Sequence, residues 1–114
     1  MNEITKKILI NVGICFNEEI ELDNYLLPRE QLLNNSKYEE IKILIPELKK
    51  HYTASFMTSL QKNAEINQRW PLINLIRQLL NALRYKMIPI RKSDGYTVDG
   101  VKKYKRFFQI TKIF

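Results

Sequence analysis

One cysteine, one histidine, three glycines and four prolines are all that this 114-residue chain holds of those residue types. A lone Cys15 excludes an internal disulfide framework and every multi-cysteine zinc module. Cys15 is expected to be a small buried hydrophobe rather than a nucleophile. A lone His51 leaves no H-E-x-x-H pair, and the chain has neither a Walker loop nor G-x-G-x-x-G. So few glycines and prolines exclude collagen-like and low-complexity chains. No apolar run approaches the ~18 residues of a membrane span, and the first residues, MNEITKK, lack the apolar centre of a signal peptide. The expectations are an intracellular single domain over residues 1–114, with no membrane partner, no cofactor, no metal and no enzymatic activity.

Carboxylates are scarce in one half only. The formal net charge is +7, but residues 1–57 carry nine acidic and seven basic residues, net −2. Residues 58–114 carry twelve basic and three acidic residues, net +9, and no carboxylate lies between Glu65 and Asp94. Cations so concentrated repel one another unless a polyanion is the partner. The alternatives are a solvated basic face without a partner, or an acidic protein or membrane surface. Asn, Ile, Lys, Tyr and Phe, whose codons are rich in A and T, supply 49 of the 114 residues, and Ala only three. Codon drift therefore discounts the lysines and leaves the arginines as the better evidence.

Residues 1–35 read as an N-terminal extension of strand and short helix, and residues 36–112 as a helical core plus hairpin. Ile8, Ile10, Val12 and Ile14 alternate as in a half-buried strand, with Gly13 at a bulge or bend and a second strand at Glu19–Leu22. Pro28 to Asn34 reads as a short helix. Ser36 and Glu39 have capping-box spacing ahead of Ile41, Leu44, Ile45 and Leu48, a helix that Pro46 must kink or divide. Thr53 caps a further helix that breaks near Lys62 and Asn63. Trp70–Arg84 is the clearest helix, apolar over more than half its circumference. Pro89 argues for an edge position in the extended segment after it. Asp94-Gly95 and Asp99-Gly100 are turn signals, and Val101–Lys112 alternates with Tyr104, Phe108 and Ile110 on one face.

The polar residues of the long helix, Asn74, Arg77, Gln78, Asn81 and Arg84, fall on a single stripe. All five are base-reading types: Arg pairs with guanine, and Asn or Gln with adenine. An ordinary solvent stripe would mix Glu with Lys. The other reading is partner or loop packing. Arg69, Lys86, Arg91, Lys92, Lys102, Lys103, Lys105 and Arg106 are the candidate phosphate contacts, since cations there release counterions from a nucleic acid. Tyr104 and Phe108, between them, are expected in the core. Asp94 and Asp99 could serve a metal-dependent nuclease, but each precedes a glycine in a turn pair, and turn chemistry explains both.

Helix, helix, long helix and basic hairpin is an order that resembles a winged helix-turn-helix domain. The resemblance implies an α+β fold with the third helix in the major groove and the hairpin along the backbone. Residues 69–110 also resemble small uncharacterised proteins of giant DNA viruses and virophages. The matching parts are Arg69-Trp70-Pro71-Leu72 and Arg91-Lys92-Ser93-Asp94-Gly95-Tyr96. That resemblance implies a viral origin and transfers no catalytic residue. The function expected is non-catalytic binding of duplex DNA, transcriptional or genome-associated. The acidic N-terminal strand region would serve a homodimer; its cluster Glu18, Glu19, Glu21 and Asp23 could meet a basic partner, but a solvated strand end explains it better. The alternative is a small structural or virion protein whose hairpin docks an acidic protein.

Overall fold

Two hydrophobic periods compete in the first 14 residues, and the helical one wins. The computed structural model describes residues 2–14, 24–66 and 69–113. Helix α1 spans Glu3–Asn11, where alternation predicts a strand. Thr5, Ile8, Leu9 and Val12 are buried at helical spacing, whereas Ile10 is 50% exposed. Asn2 caps the helix by accepting from the Thr5 N–H at 2.8 Å. Gly13, at φ +87°, ends it rather than marking a bulge. Its N–H donates to the Ile10 carbonyl at 3.0 Å and that of Ile14 to the Leu9 carbonyl at 2.9 Å, a Schellman closure. Cys15, the acidic cluster and the strand expected at Glu19–Leu22 lie outside the described residues.

Strand β1, Tyr25–Pro28, leads through Pro28 into a 3-10 turn over Arg29–Leu32. Helix α2 spans Asn35–Lys42, and its cap is Asn34 rather than Ser36. The Asn34 Oδ1 accepts from the Lys37 N–H at 3.1 Å. Asn caps as well as Ser does and comes first, which leaves Ser36 inside the first turn. Pro46 divides the next stretch: α2 stops, and a 3-10 helix follows over Ile45–Lys50. Thr53 Oγ1 caps helix α3, Ala54–Ile66, by accepting from the Phe56 N–H at 3.1 Å. That helix runs past its expected break. The described residues thus hold four α-helices, counting α4 over Pro71–Ala82: the three expected in the core after residue 36 and α1, while the short helix expected over Pro28 to Asn34 is the 3-10 turn. Helix α4 buries Pro71, Leu72, Ile73, Leu75, Ile76, Leu79 and Leu80. Each large side chain contributes roughly 1.5–3 kcal/mol of burial. The helix closes before Arg84, which stands at φ +68° and so leaves the predicted helical stripe.

Strands β2, Tyr85–Tyr96, and β3, Lys102–Lys112, form an antiparallel hairpin, with β1 paired to the far side of β3. The order β1–β3–β2 leaves β2 at an edge, as Pro89 predicts. The fold is α+β, with helices packed on a three-stranded antiparallel sheet. On the face toward α4, Tyr85, Met87, Phe108 and Ile110 are buried. Beyond them, residues 91–106 are all exposed, so the hairpin leaves the core as an arm. Six residues of β2 at about 3.3 Å each give it a reach of about 20 Å. The radius of gyration, 15.4 Å, accordingly exceeds the ~13 Å of a compact chain this long.

Only one of the two turn signals turns the chain. Gly100, at φ +81°, donates to the Thr97 carbonyl at 3.0 Å, and the Thr97 N–H donates to the Val101 carbonyl at 2.7 Å. This is the three-residue hairpin loop with a glycine in the left-handed region. Asp94-Gly95 instead forms a bulge within β2, where the register shifts between Ser93 and Tyr96. Tyr104 lies on the arm, 46% exposed, and is not a core residue as expected. Phe108, nearer the root, is.

Candidate functional site

Strand pairing places like charges opposite one another at the root of the arm. Arg91 faces Arg106, and in the next pair Lys92 faces Lys105. Directly opposed like charges destabilise a ladder, where a Glu–Lys pair would contribute roughly 0.2–1 kcal/mol. Because side chains alternate, the first pair lies on the face that packs α4 and the second on the opposite face. Two distinct surfaces result. The first carries Arg91, Arg106, Tyr104 and Lys102. The second carries Lys92, Lys103 and Lys105, with Lys86 about 20 Å farther back along β2.

The arginine face is organised by Tyr104. The Arg91 guanidinium carbon stands 4.5 Å from the centre of its ring, and the Lys102 Nζ 5.5 Å from it. Such stacking holds an exposed guanidinium in place for about 0.5–1 kcal/mol without neutralising it. Lys105 makes a comparable contact with Phe107, at 5.5 Å.

Where this face meets the core, a recess of about 400 Å³ opens. Its walls include Arg29, Arg77, Arg91 and Arg106, its apolar floor includes Ile73, Pro89 and Phe108, and no acidic side chain among the described residues lines it. Each arginine arrives by a different route. Arg77 projects from the middle of α4, and Arg29 opens the 3-10 turn after β1. The register that sets Pro28 opposite Phe107 carries Arg29 alongside Arg106. Arg77 donates to the Asn74 Oδ1 at 3.4 Å, and the Asn74 amide donates to the Asn63 carbonyl at 3.0 Å. That chain fixes the half-buried Arg77 and occupies Asn74.

The stripe expected to read bases is therefore divided. Arg77 joins the recess, Asn74 is committed to α3, and Gln78 is half-buried. Asn81 and Arg84 are exposed, but near the C-terminal end of α4, away from the recess. The Arg84 carbonyl accepts from the Ile113 N–H at 2.8 Å, which ties the helix end to β3. Of the expected phosphate contacts, Arg91, Lys92, Lys102, Lys103, Lys105 and Arg106 share the arm. Arg69 precedes α4 with its guanidinium 5.4 Å from the Trp70 ring centre, outside the recess. Sequence reasoning misses Arg29, whose only signal is that the chain has just six arginines. Asp94 in the bulge and Asp99 in the loop are accounted for by backbone geometry. No group of His, Cys, Asp and Glu suited to a metal occurs among the described residues, and no helix among them is long and apolar enough to cross a membrane. No family model, curated protein or solved structure matches this chain.

Proposed function

We propose that this chain is a non-catalytic DNA-binding domain of winged-helix-like type, whose basic arm lies against the duplex. The observation that carries the reading is the successive pairing of Arg91 with Arg106 and Lys92 with Lys105 on an arm exposed on both faces. A two-stranded ribbon is only marginally stable by itself. Like-charge pairs weaken it further and are favourable only when a polyanion lies against them. A major groove about 12 Å wide admits such a ribbon, and phosphates on either side can meet its two charged faces. The sheet order, with β1 beside β3 and β2 at the edge after a long helix, supports the winged type. A transcriptional or genome-associated role in a DNA virus or virophage is part of this reading. In this reading the arm and Arg77 carry the contact, and α4 contributes Gln78 and Asn81 at its margin.

Fluorescence anisotropy with a labelled random-sequence duplex tests the proposal. With about five phosphates contacted, log K falls with log salt at a slope near −4 to −5. Arg77→Ala relaxes any sequence preference, while Lys103→Ala weakens all sequences alike. Affinity indifferent to salt refutes the proposal. Absence of binding at micromolar protein also refutes it, and favours an acidic protein as the arm's partner.

A further inference from the structure

The recess is more heavily charged than a duplex backbone requires. A backbone phosphodiester carries one negative charge, and single cations along a groove suffice to match it. Here four arginines line one pocket, with no carboxylate among the described residues that line it. The whole chain has 13 lysines and six arginines. The planar guanidinium presents paired donors that match phosphate oxygens bidentately, which an ammonium does not. Buried Ile73 and Phe108 border the pocket, so charge meets charge beside an apolar wall that strengthens the attraction. At about 400 Å³ the recess accommodates a phosphate group with its own waters, each of which claims about 30 Å³ of liquid.

We propose that the recess formed by Arg29, Arg77, Arg91 and Arg106 binds a phosphate group carrying more than one negative charge, such as the terminal phosphate of a nucleic-acid strand. A terminal phosphomonoester carries about −1.5 to −2 at neutral pH and exposes three acceptor oxygens, so several guanidiniums can bind it at once. The proposal rests on the DNA-binding reading of the arm, which would bring a strand end to its root. A free polyphosphate offers the same chemistry.

Two measurements separate these sources. Anisotropy compares two internally labelled duplexes identical except for 5′-hydroxyl or 5′-phosphate ends. A strand-end site prefers the phosphorylated duplex by about tenfold, an amount typical of added charge-assisted hydrogen bonds. Arg77→Gln and Arg106→Gln each erase that ratio, while Lys103→Gln weakens both duplexes and leaves the ratio intact. Arg106 is exposed, so its replacement tests binding without threatening the fold. In parallel, pyrophosphate is titrated while thermal unfolding is followed. Pyrophosphate that stabilises the wild type more than equimolar sulfate, but not Arg106→Gln, also supports the site, with a free polyphosphate as ligand when the two duplexes bind equally. Equal duplex affinities together with no such stabilisation overturn the proposal. If neither duplex binds, the DNA-binding reading has failed, and the pyrophosphate titration still decides the recess.

Discussion

Replacing Lys92 by Glu should strengthen the arm while weakening its binding to DNA. Lys92 faces Lys105 across the ladder, and both are exposed. The substitution removes a like-charge pair and creates an opposite-charge pair, a swing of about 1 kcal/mol for directly opposed side chains. Lys92 is preferable to Lys105 because the Lys105 ammonium also lies 5.5 Å from the Phe107 ring, and replacing it would disturb that stacking as well. Since the arm projects beyond the core, local opening reports its stability better than global melting does. Amide hydrogen exchange in residues 91–93 and 104–106 should slow roughly fivefold at low salt, the factor equivalent to about 1 kcal/mol. The gain should shrink toward zero near 1 M salt, because exposed pairs are screened. Lys92→Gln removes only the repulsion and should show a smaller part of the effect. Duplex affinity should fall in both variants, with the salt slope less steep by about one for each phosphate that is no longer neutralised. Exchange that quickens in Lys92→Glu, or a gain that persists at high salt, refutes the reasoning that this pair is strained by charge.

Four further outcomes follow from the capping, packing and backbone geometry. Asn34→Ala should cost about 1 kcal/mol in urea unfolding and Ser36→Ala only a few tenths, because Asn34 supplies the cap of α2. Gly13→Ala should cost about 1 kcal/mol despite open space around the added methyl, since the penalty lies in φ +87°, and Gly13→Asn should cost less. Arg84→Gly should stabilise the fold by roughly 0.5–1 kcal/mol, because a non-glycine residue stands there at φ +68°. Leu79→Ala, at a fully buried position on α4, should cost about 3 kcal/mol in the same assay.

The parts of the fold legible in the sequence are those decided within a few residues. Pro46 ends a helix, Thr53 begins one, Pro71 opens α4, and Pro89 marks an edge. Helix α1 reads as a strand because its isoleucines satisfy period two while Thr5, Ile8, Leu9 and Val12 satisfy period 3.6. Leu9, fully buried, breaks the tie, and the flanking Asn2 and Gly13 are helix signals that alternation alone ignores. Asp94-Gly95 and Asp99-Gly100 are equivalent as dipeptides. Which of them turns the chain depends on the pairing of β2 with β3, a property of two strands at once. The site divides in the same way. The charge of the arm is legible because consecutive residues carry it. The recess is not, because Arg29 reaches Arg106 only through the register of β1 on β3, and Arg77 only through the packing of α4 on the sheet.

The choice of arginine over lysine separates selection from composition. The abundance of Asn, Ile and Lys follows codons rich in A and T, so lysine is the residue that drift supplies wherever a positive charge is tolerated. The second face of the arm agrees with that expectation, since Lys92, Lys103 and Lys105 are all lysine. The recess departs from it completely. Partial burial explains two of its members, because the weakly hydrated guanidinium tolerates the half-buried positions of Arg29 and Arg77 better than an ammonium would. Burial does not explain Arg91 and Arg106, which are exposed and placed opposite one another at an electrostatic cost. Stacking on Tyr104 accounts for Arg91, where a lysine would lose part of that contact, and leaves Arg106, which lysine could replace at no loss on a solvated face. What the four share is the lining of one recess, and the phosphate ligand proposed for it would supply a common reason for arginine at all four positions.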